Sequence, residues 1–228
     1  MNAAGLAPEA TVTFRTGRGI LVCVVGRDAP AGPRTAVPEA DPAETRLAAG
    51  LPAARRADFL IGRRAAGLAL ALLSRAGPVL RAANGQPVFP ADVAGSISHC
   101  DGYGVCAAAP GALAVGALAV GVDLELEGRV PAAGLRHFAT EAERAWIARS
   151  RDDAEAAYRT TSVFCAKEAV YKARGGGARN RYPTLELLPR PGGFVMSRPD
   201  VSAVAVRRVP GPDAANYVLA TAWEVTPR

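Results

Sequence analysis

The amino-acid sequence predicts an α+β protein with two lobes of comparable size that meet near residues 115–120. One predicted strand, a long helix and a group of strands come first, and two helices and a second group of strands follow. Helices and strands that are grouped in this way, rather than strictly alternating, are typical of α+β folds. The 228 residues suffice for one large domain or two small lobes. We therefore expect an N-terminal lobe at 1–117 and a C-terminal lobe at 118–228.

The first half of the chain is predicted to contain a buried strand, an amphipathic helix and a second strand. An apolar run at 19–25 predicts the first strand. The helix is predicted at 52–74, where an apolar stripe recurs at spacings of four and three. The members of this stripe are Ile61, Ala65, Leu68 and Leu72. Small residues at 95–99 predict a turn, and the apolar run at 104–109 predicts the strand that follows it.

The second half begins with a predicted strand or strand pair at 113–126. Thr140 and Glu143 have the spacing of a capping box, which marks the start of a helix. A longer helix is predicted at 154–174, ended by the glycine triplet at 175–177. Short strands separated by proline and glycine are predicted after it, at 184–188, 193–197, 202–208 and 217–225.

The composition points to an anionic partner. Basic residues outnumber acidic ones by 27 to 21, which gives a formal net charge of +6. This charge favours a nucleic acid, a phosphorylated small molecule or an acidic protein as partner, although an ordinary basic surface also explains it. The four cysteines form no CxxC pair, and neither a signal-type apolar run nor a membrane-length apolar span is present. We therefore expect a soluble, cytoplasmic protein with reduced cysteines and no membrane association.

Acidic side chains on a strand and a helix form the main candidate site. Asp123 and Glu125 alternate with apolar residues and so face the same side of a strand, and Glu168 and Lys172 stack on one face of the later helix. Carboxylates in apolar surroundings are costly unless a cation neutralises them, and Mg²⁺ prefers oxygen ligands. Our working hypothesis is a divalent metal that holds a phosphate ester. An acidic surface strand and an ordinary Glu–Lys pair on a solvated helix remain alternatives.

Basic side chains in the first half are candidate phosphate ligands. Arg55 and Arg63 lie on the long helix, and Arg81 in the following loop could extend the patch. His99 follows a small-residue turn whose backbone amides could face an anion. An exposed basic helix and a structural histidine are the alternatives. No Cys/His zinc pattern, GxSxG elbow or GxxxxGK(S/T) loop occurs, which disfavours zinc, serine-hydrolase and P-loop chemistry.

Taken in order, these segments resemble the 4'-phosphopantetheinyl transferase superfamily of the surfactin/enterobactin-synthetase type. The matching blocks lie at 56–63, 85–90, 95–99, 120–125 and 164–172. The combination of GVDLE with FxxKEAxYK is the specific part, since each block alone is weak. Cys165 stands where the family often has serine, and the first and last fifty or so residues match no motif of the family.

The resemblance implies two similar α+β lobes related by pseudo-two-fold symmetry, with the active site in the cleft between them. It implies a monomeric, Mg²⁺-dependent enzyme that transfers the 4'-phosphopantetheine group of coenzyme A to a serine hydroxyl of acyl or peptidyl carrier proteins. Adenosine 3',5'-bisphosphate is the released product. Polyketide, nonribosomal peptide or siderophore synthesis is the expected setting.

The resemblance also implies roles for matching positions. It assigns the metal site to Asp123, Glu125 and Glu168. It assigns the coenzyme A contacts to Arg55, Arg63, Arg81, Ser98, His99, Lys167 and Lys172. Among these, Lys167 and Lys172 are expected to face the pyrophosphate. Glu168 is the candidate base for the serine hydroxyl, and Lys172 would balance charge on the leaving group.

Two other classes of protein remain as alternatives. A basic nucleic-acid-binding protein would explain the net charge, but it leaves three carboxylates without a role, and the chain lacks an interleaved aromatic platform for bases. We therefore expect no nucleic acid partner. The second alternative is a Mg²⁺-dependent phosphotransferase that uses another nucleotide, or a relative that binds coenzyme A without transferring it.

Overall fold

The computed structural model of the protein describes residues 6–17, 19–31, 37–110, 118–175, 185–197 and 204–225. The α-helices in these ranges are α1 (Pro42–Ala49), α2 (Ala53–Leu72), α3 (Leu135–Phe138), α4 (Glu141–Ala148) and α5 (Asp153–Ala173). The strands are β1 (Thr11–Arg15), β2 (Leu21–Gly26), β3 (Leu80–Arg81), β4 (Pro87–Val88), β5 (Val93–Cys100), β6 (Tyr103–Pro110), β7 (Leu118–Leu126), β8 (Leu187–Arg190), β9 (Gly193–Met196), β10 (Val204–Pro210) and β11 (Asn216–Val225). The protein is thus a mixed α+β structure.

The two larger sheets pack face to face, and each carries a long helix on its outer side. Alternate residues of β2 illustrate the arrangement. Val22 and Val24 belong to a core shared with the second sheet, whereas Leu21, Cys23 and Val25 belong to a core shared with α2. A third core lies between α5 and the second sheet. The layers therefore follow the order helix, sheet, sheet, helix.

The edges of the two sheets meet where the sequence blocks 95–99 and 120–125 lie. The first sheet has the strand order β1-β2-β6-β5, the second has the order β7-β11-β10-β9-β8, and β3 and β4 form a small separate hairpin. Edge strand β5 lies against edge strand β7. Across this junction the Val122 N–H donates to Ser96 Oγ at 3.1 Å. Side chains from both halves of the chain can therefore meet here.

Two glycines let the long helices approach the sheets closely. A Cβ atom at Gly104 in β6 would lie 2.2 Å from the carbonyl oxygen of Ile61 in α2. A Cβ atom at Gly121 in β7 would lie 1.8 Å from the carbonyl oxygen of Ala169 in α5. Any larger residue would push the helix away, since both neighbouring atoms are backbone. The second approach brings the C-terminal part of α5 onto β7.

Most of the predicted elements are present. Helix α2 confirms the helix predicted at 52–74, and α5 confirms the helix predicted at 154–174. Strands β2 and β6 confirm the apolar strands predicted at 19–25 and 104–109. The turn predicted at 95–99 is wrong, because this segment belongs to β5 and pairs with β6 throughout.

Other differences concern the less regular parts of the chain. Strand β1 and helix α1 are not predicted from the sequence, although Asp41 and Glu44 form a capping box at the start of α1, with proline at its first position. The capping box predicted at Thr140 and Glu143 is confirmed at the start of α4. The last two glycines of the predicted stop at 175–177 lie outside the described residues, as do parts of the strands predicted at 113–126, 184–188 and 202–208.

All four cysteines are buried and free, as the sequence predicts. Within the part of the chain that the structure describes, no helix is both long enough and apolar enough to cross a membrane.

Candidate active site

Two adjoining cavities open beside the junction of β5 and β7. The first has a volume of about 420 Å³, and its lining includes Arg55, Phe59, Arg63, Arg81 and His99. The second has a volume of about 690 Å³, and its lining includes Arg81, Gln86, Ser96, Tyr171 and Lys172. Arg81 lines both cavities, so the two cavities adjoin. The structure therefore brings the helical arginines of the first half near the lysine of α5.

Arg63 supplies the most constrained cation of the first cavity. Its side chain is only 6% exposed, and its guanidinium lies 4.2 Å from the centroid of the Phe59 ring. One terminal nitrogen donates to the Leu80 carbonyl at 3.2 Å, whereas the buried Nε has no hydrogen-bond partner in the protein. Burial lowers the pKa of Arg63, against the opposing charge of Glu44. A guanidinium that lines a cavity while it is largely desolvated favours an anionic ligand.

The alternation of side chains along β5 separates residues 96–99 into two groups. Ile97 and His99 line the first cavity, whereas Ser96 and Ser98 are buried and reach toward β7. His99 Nδ1 lies 3.8 Å from Asp58 Oδ2. Burial lowers the pKa of His99, and the charge of Asp58 acts in the opposite direction. A neutral imidazole is therefore favoured near pH 7, and it can still donate one N–H to a phosphate oxygen.

Lys172, Asp123 and Ser98 form one hydrogen-bonded group at the strand junction. Lys172 Nζ lies 2.7 Å from Asp123 Oδ1 and donates to Ser98 Oγ at 2.9 Å. Ser98 Oγ in turn donates to Asp123 Oδ1 at 2.7 Å. Burial acts to lower the pKa of Lys172, but Asp123 and the charge of Glu168 outweigh it, so the pKa of Lys172 is raised. Lys172 therefore carries a positive charge at neutral pH.

The three predicted metal-site acids lie in one electrostatic environment. Burial, together with the charges of Asp123 and Glu168, raises the pKa of Glu125 to about 7, although the charges of Lys172 and Arg129 act in the opposite direction. Such mutual influence between carboxylates requires that they lie near one another. Even so, among the described residues, no group of three or more His, Cys, Asp or Glu side chains is arranged to hold a metal ion.

One feature of this acidic group nevertheless fits a divalent cation. Asp123 is only 3% exposed, and its Oδ2 atom is buried without a hydrogen-bond partner in the protein. A buried carboxylate oxygen without a partner is costly, and a hard cation would satisfy it. The oxygen-only donor set of Asp123, Glu125 and Glu168 matches the preference of Mg²⁺. The residues therefore fit the ion, although Lys172 holds the other oxygen of Asp123 in this structure.

Two of the predicted coenzyme A contacts lie elsewhere. The side chain of Lys167 is fully buried, with Nζ 2.6 Å from Glu143 Oε2 and 2.6 Å from the Phe138 carbonyl oxygen. The lysine therefore points into the core under α5, and its expected contact with the pyrophosphate stays a prediction. Ser98 is not among the lining residues of either cavity, because its hydroxyl bonds to Asp123 instead.

Some lining and supporting residues were not foreseen from the sequence. Gln86 and Tyr171 line the second cavity, and the Gln86 side-chain amide donates to the Gly175 carbonyl beyond the end of α5. Both residues lie within the matching sequence blocks, but a glutamine or a tyrosine does not by itself indicate a functional site. Glu44 is a further buried acid near Arg63, and the DPxE pattern at its helix start is the signal that could have found it.

Two protein-family models match the chain. Residues 43–109 match the 4'-phosphopantetheinyl transferase N-terminal domain, and residues 119–222 match the 4'-phosphopantetheinyl transferase superfamily. Together, the two matches include the segments that form the two cavities and the acidic group. The chain belongs to the 4'-phosphopantetheinyl transferase superfamily, which confirms the resemblance seen in the motifs.

Several known proteins are similar to part of the chain. The 4'-phosphopantetheinyl transferase Npt of Nocardia iowensis is 36% identical over 136 residues, which are 59% of this chain and 59% of Npt. The 4'-phosphopantetheinyl transferase PptT of Mycobacterium tuberculosis is 35% identical over 134 residues, which are 58% of this chain and 56% of PptT. The chain thus spans less than two thirds of the length of these curated relatives.

A structural neighbour is more distant. The holo-(acyl-carrier-protein) synthase of Thermotoga maritima is 21% identical to this chain, with a TM-score of 0.36. The similarity covers 46% of this chain and 64% of that protein.

Proposed function

We propose that the protein transfers the 4'-phosphopantetheine group of coenzyme A to a serine hydroxyl of acyl or peptidyl carrier proteins. The serine oxygen bonds to the β-phosphorus, and the bond from that phosphorus to the bridging oxygen breaks. Adenosine 3',5'-bisphosphate leaves with the bridging oxygen. The names of the relatives support this reaction, since Npt and PptT are both called 4'-phosphopantetheinyl transferases.

The observation that carries the proposal is that the two cavities share a basic lining residue. Arg55, Arg63 and His99 line the first cavity, Lys172 lines the second, and Arg81 lines both. Coenzyme A has phosphates at two separated places, the 3' position and the pyrophosphate, so a basic cavity that continues toward a second cation suits it. The separation of these cations favours such an extended anion over inorganic phosphate.

In this proposal Mg²⁺ is held by Asp123, Glu125 and Glu168. When bound, it would supply charge neutralisation to the pyrophosphate. The partnerless Oδ2 of Asp123 and the raised pKa of Glu125 support this assignment, because both groups gain from a nearby cation.

The remaining steps belong to side chains of the chain itself. Glu168 takes the proton of the serine hydroxyl as its oxygen attacks, because serine is a poor nucleophile while it keeps its proton. Lys172 is positively charged and stabilises negative charge that develops on the leaving bisphosphate. Arg55, Arg63, Arg81 and His99 hold the coenzyme A phosphates, which positions the reacting atoms. Ser98 supports the site indirectly, through Asp123 and Lys172.

The finer architecture and the partners are part of the same proposal. We infer that residues 1–117 and 118–228 are pseudo-two-fold-related lobes, with this site in the cleft between them. A monomeric, cytoplasmic enzyme suits carrier proteins of polyketide, nonribosomal peptide or siderophore synthesis, which are typically acidic around the target serine. A net charge of +6 supports attraction to such partners.

The decisive experiment mixes the protein with coenzyme A, Mg²⁺ and several apo carrier proteins and measures intact mass. The carrier should gain the mass of one phosphopantetheine group. The Glu168→Gln variant should lose about 10²- to 10⁴-fold in rate, the usual contribution of a general base, while it stays folded. Glu141→Gln, at an exposed position on α4, is the matched control and should keep full activity.

Two outcomes would contradict the proposal in different ways. Coenzyme A binding in calorimetry without a mass gain on any carrier would indicate a relative that binds coenzyme A without transferring it. Near-normal turnover of Glu168→Gln at saturating Mg²⁺ would show that Glu168 is not the base.

A further inference from the structure

Each half of the chain has a buried glutamate at the third position of a short helix. Glu44 closes a capping box with Asp41 in α1, where one of its oxygens accepts from the Asp41 N–H at 2.9 Å. Glu143 closes the same motif with Thr140 in α4, and its oxygen accepts from the Thr140 N–H at 2.7 Å. Most capping-box glutamates lie on the surface, whereas these two are 4% and 2% exposed.

The second oxygen of each glutamate holds a distant piece of backbone. Glu44 Oε1 accepts from the Val79 N–H at 2.7 Å, and Glu143 Oε1 accepts from the Leu187 N–H at 2.8 Å. These partners are 35 and 44 positions away along the chain, respectively. Each carboxylate therefore joins the start of its helix to the segment that follows the long helix of the same half.

The buried cations of the two long helices make different contacts with these glutamates and the backbone that they hold. Lys167 forms a buried ion pair with Glu143 and has no exposed surface. Arg63 instead donates to the carbonyl of Leu80, which directly follows the residue that Glu44 holds. Its Nε keeps no protein partner and its guanidinium lines the first cavity. One half thus pairs its cation directly with the glutamate, and the other places its cation in the lining of a cavity.

We infer that Glu44 is a positioning residue for the phosphate-binding cavity. By fixing the Val79 amide, it sets the position of the Leu80 carbonyl, which orients Arg63, and of Arg81, whose side chain borders both cavities. Glu44 itself touches no ligand in this account. The inference rests on the proposed function for the identity of the ligand, a nucleotide with separated phosphates.

A neutral amide cannot replace this carboxylate. Both oxygens of Glu44 accept from backbone N–H groups, so a glutamine would turn an NH₂ group toward one of the two donors. Two donors would then face each other, and one buried N–H would lack an acceptor. The free-energy cost of this unsatisfied group would move the segment around Val79 or break one of the two hydrogen bonds. Either response would shift the Leu80 carbonyl away from Arg63.

The test is titration calorimetry with adenosine 3',5'-bisphosphate on the folded protein, together with thermal unfolding. Glu44→Gln should weaken the binding of adenosine 3',5'-bisphosphate about 10-fold. This loss corresponds to the free-energy cost of one buried unsatisfied group, expressed as a displacement of Arg63. Glu143→Gln is the matched control in the other half. It should lower the melting temperature while the affinity of the folded protein stays within about 2-fold of the wild type, since Glu143 supports no cavity cation.

Each result decides a separate question. If the wild-type protein does not bind adenosine 3',5'-bisphosphate, the proposed function fails. If the wild type binds and Glu44→Gln binds equally well, with only its stability reduced, Glu44 is a structural residue and the inference is overturned. Should Glu44→Gln be recovered unfolded, Glu44→Asp replaces it, because the shorter carboxylate cannot reach both N–H groups. Weaker binding by Glu44→Asp than by the wild type would then support the inference, and equal binding would overturn it.

Discussion

At the scale of single residues, the two lysines of α5 occupy opposite environments although they are near neighbours in the chain. Lys167 lies three and four positions from Val170 and Val163, which are both buried, so the helical period turns it toward the core. Lys172 lies four positions from Glu168 and reaches Asp123 on β7. One lysine stabilises the fold, and the other belongs to the site.

Lys167→Met tests the structural role of the buried pair. It leaves the Glu143 carboxylate without its cation, so the free energy of unfolding should fall by about 3–5 kcal/mol. Urea unfolding measures this change. The KM for coenzyme A of the folded variant should stay unchanged. A raised KM with normal stability would instead show that Lys167 reaches the pyrophosphate, as the resemblance implies.

His99→Ala tests the contact between the imidazole and a coenzyme A phosphate. The variant should raise the KM for coenzyme A more than it lowers kcat, because the contact exists already in the ground state. An effect of about 10-fold corresponds to one lost hydrogen bond to a charged group. His137→Ala, at an exposed position in α3, is the control and should match the wild type. An unchanged KM for His99→Ala would refute the contact.

At the scale of secondary-structure elements, the site depends on how closely α5 approaches β7. The backbone of Ala169 lies directly over Gly121, and Lys172 follows within the next turn of the helix. Asp123 is two positions beyond the glycine on the strand, so the close approach sets the distance between the lysine and the carboxylate. Helix packing and the geometry of the candidate site are therefore coupled through one small residue.

Gly121→Ala should disturb both properties together. The added methyl would overlap the Ala169 carbonyl, so overpacking should lower the free energy of unfolding by about 1–3 kcal/mol and transfer activity should also fall. Chemical denaturation and the carrier mass assay measure the two effects. Gly134→Ala is a suitable control, since its nearest atom would be 3.8 Å away. Full activity with unchanged stability would mean that α5 can move outward freely.

At the scale of the whole molecule, the net charge of +6 should govern the encounter with an acidic carrier. Salt screens charges on exposed surfaces, and the Debye length falls from about 30 Å at 0.01 M to about 8 Å at 0.15 M ionic strength. We expect kcat/KM for the carrier to fall about 10-fold over this range because steering is lost. The kcat at saturating carrier should change little. Rates that do not depend on salt would contradict a charge-steered encounter.

Much of the fold follows from local patterns in the sequence. The apolar stripe through Ile61 and Leu68 locates α2, and the spacing of Thr140 and Glu143 locates the start of α4. The turn predicted at 95–99 is wrong, although glycine and serine are typical of turns. Pairing with the buried strand β6 makes this segment a strand. Glycine and serine propensities are weak compared with such tertiary contacts.

The amino-acid sequence by itself determined the family, the long helices and the acidic and basic residue types of the site, because periodicity and motif spacing are local properties of a chain. Only the tertiary structure decided which cation lines a cavity. Arg63 lines a cavity and Lys167 is buried against Glu143, although both lie on long helices beside a capping-box glutamate. The physical reason is that burial and ion pairing depend on residues far apart in the chain, which packing alone brings together.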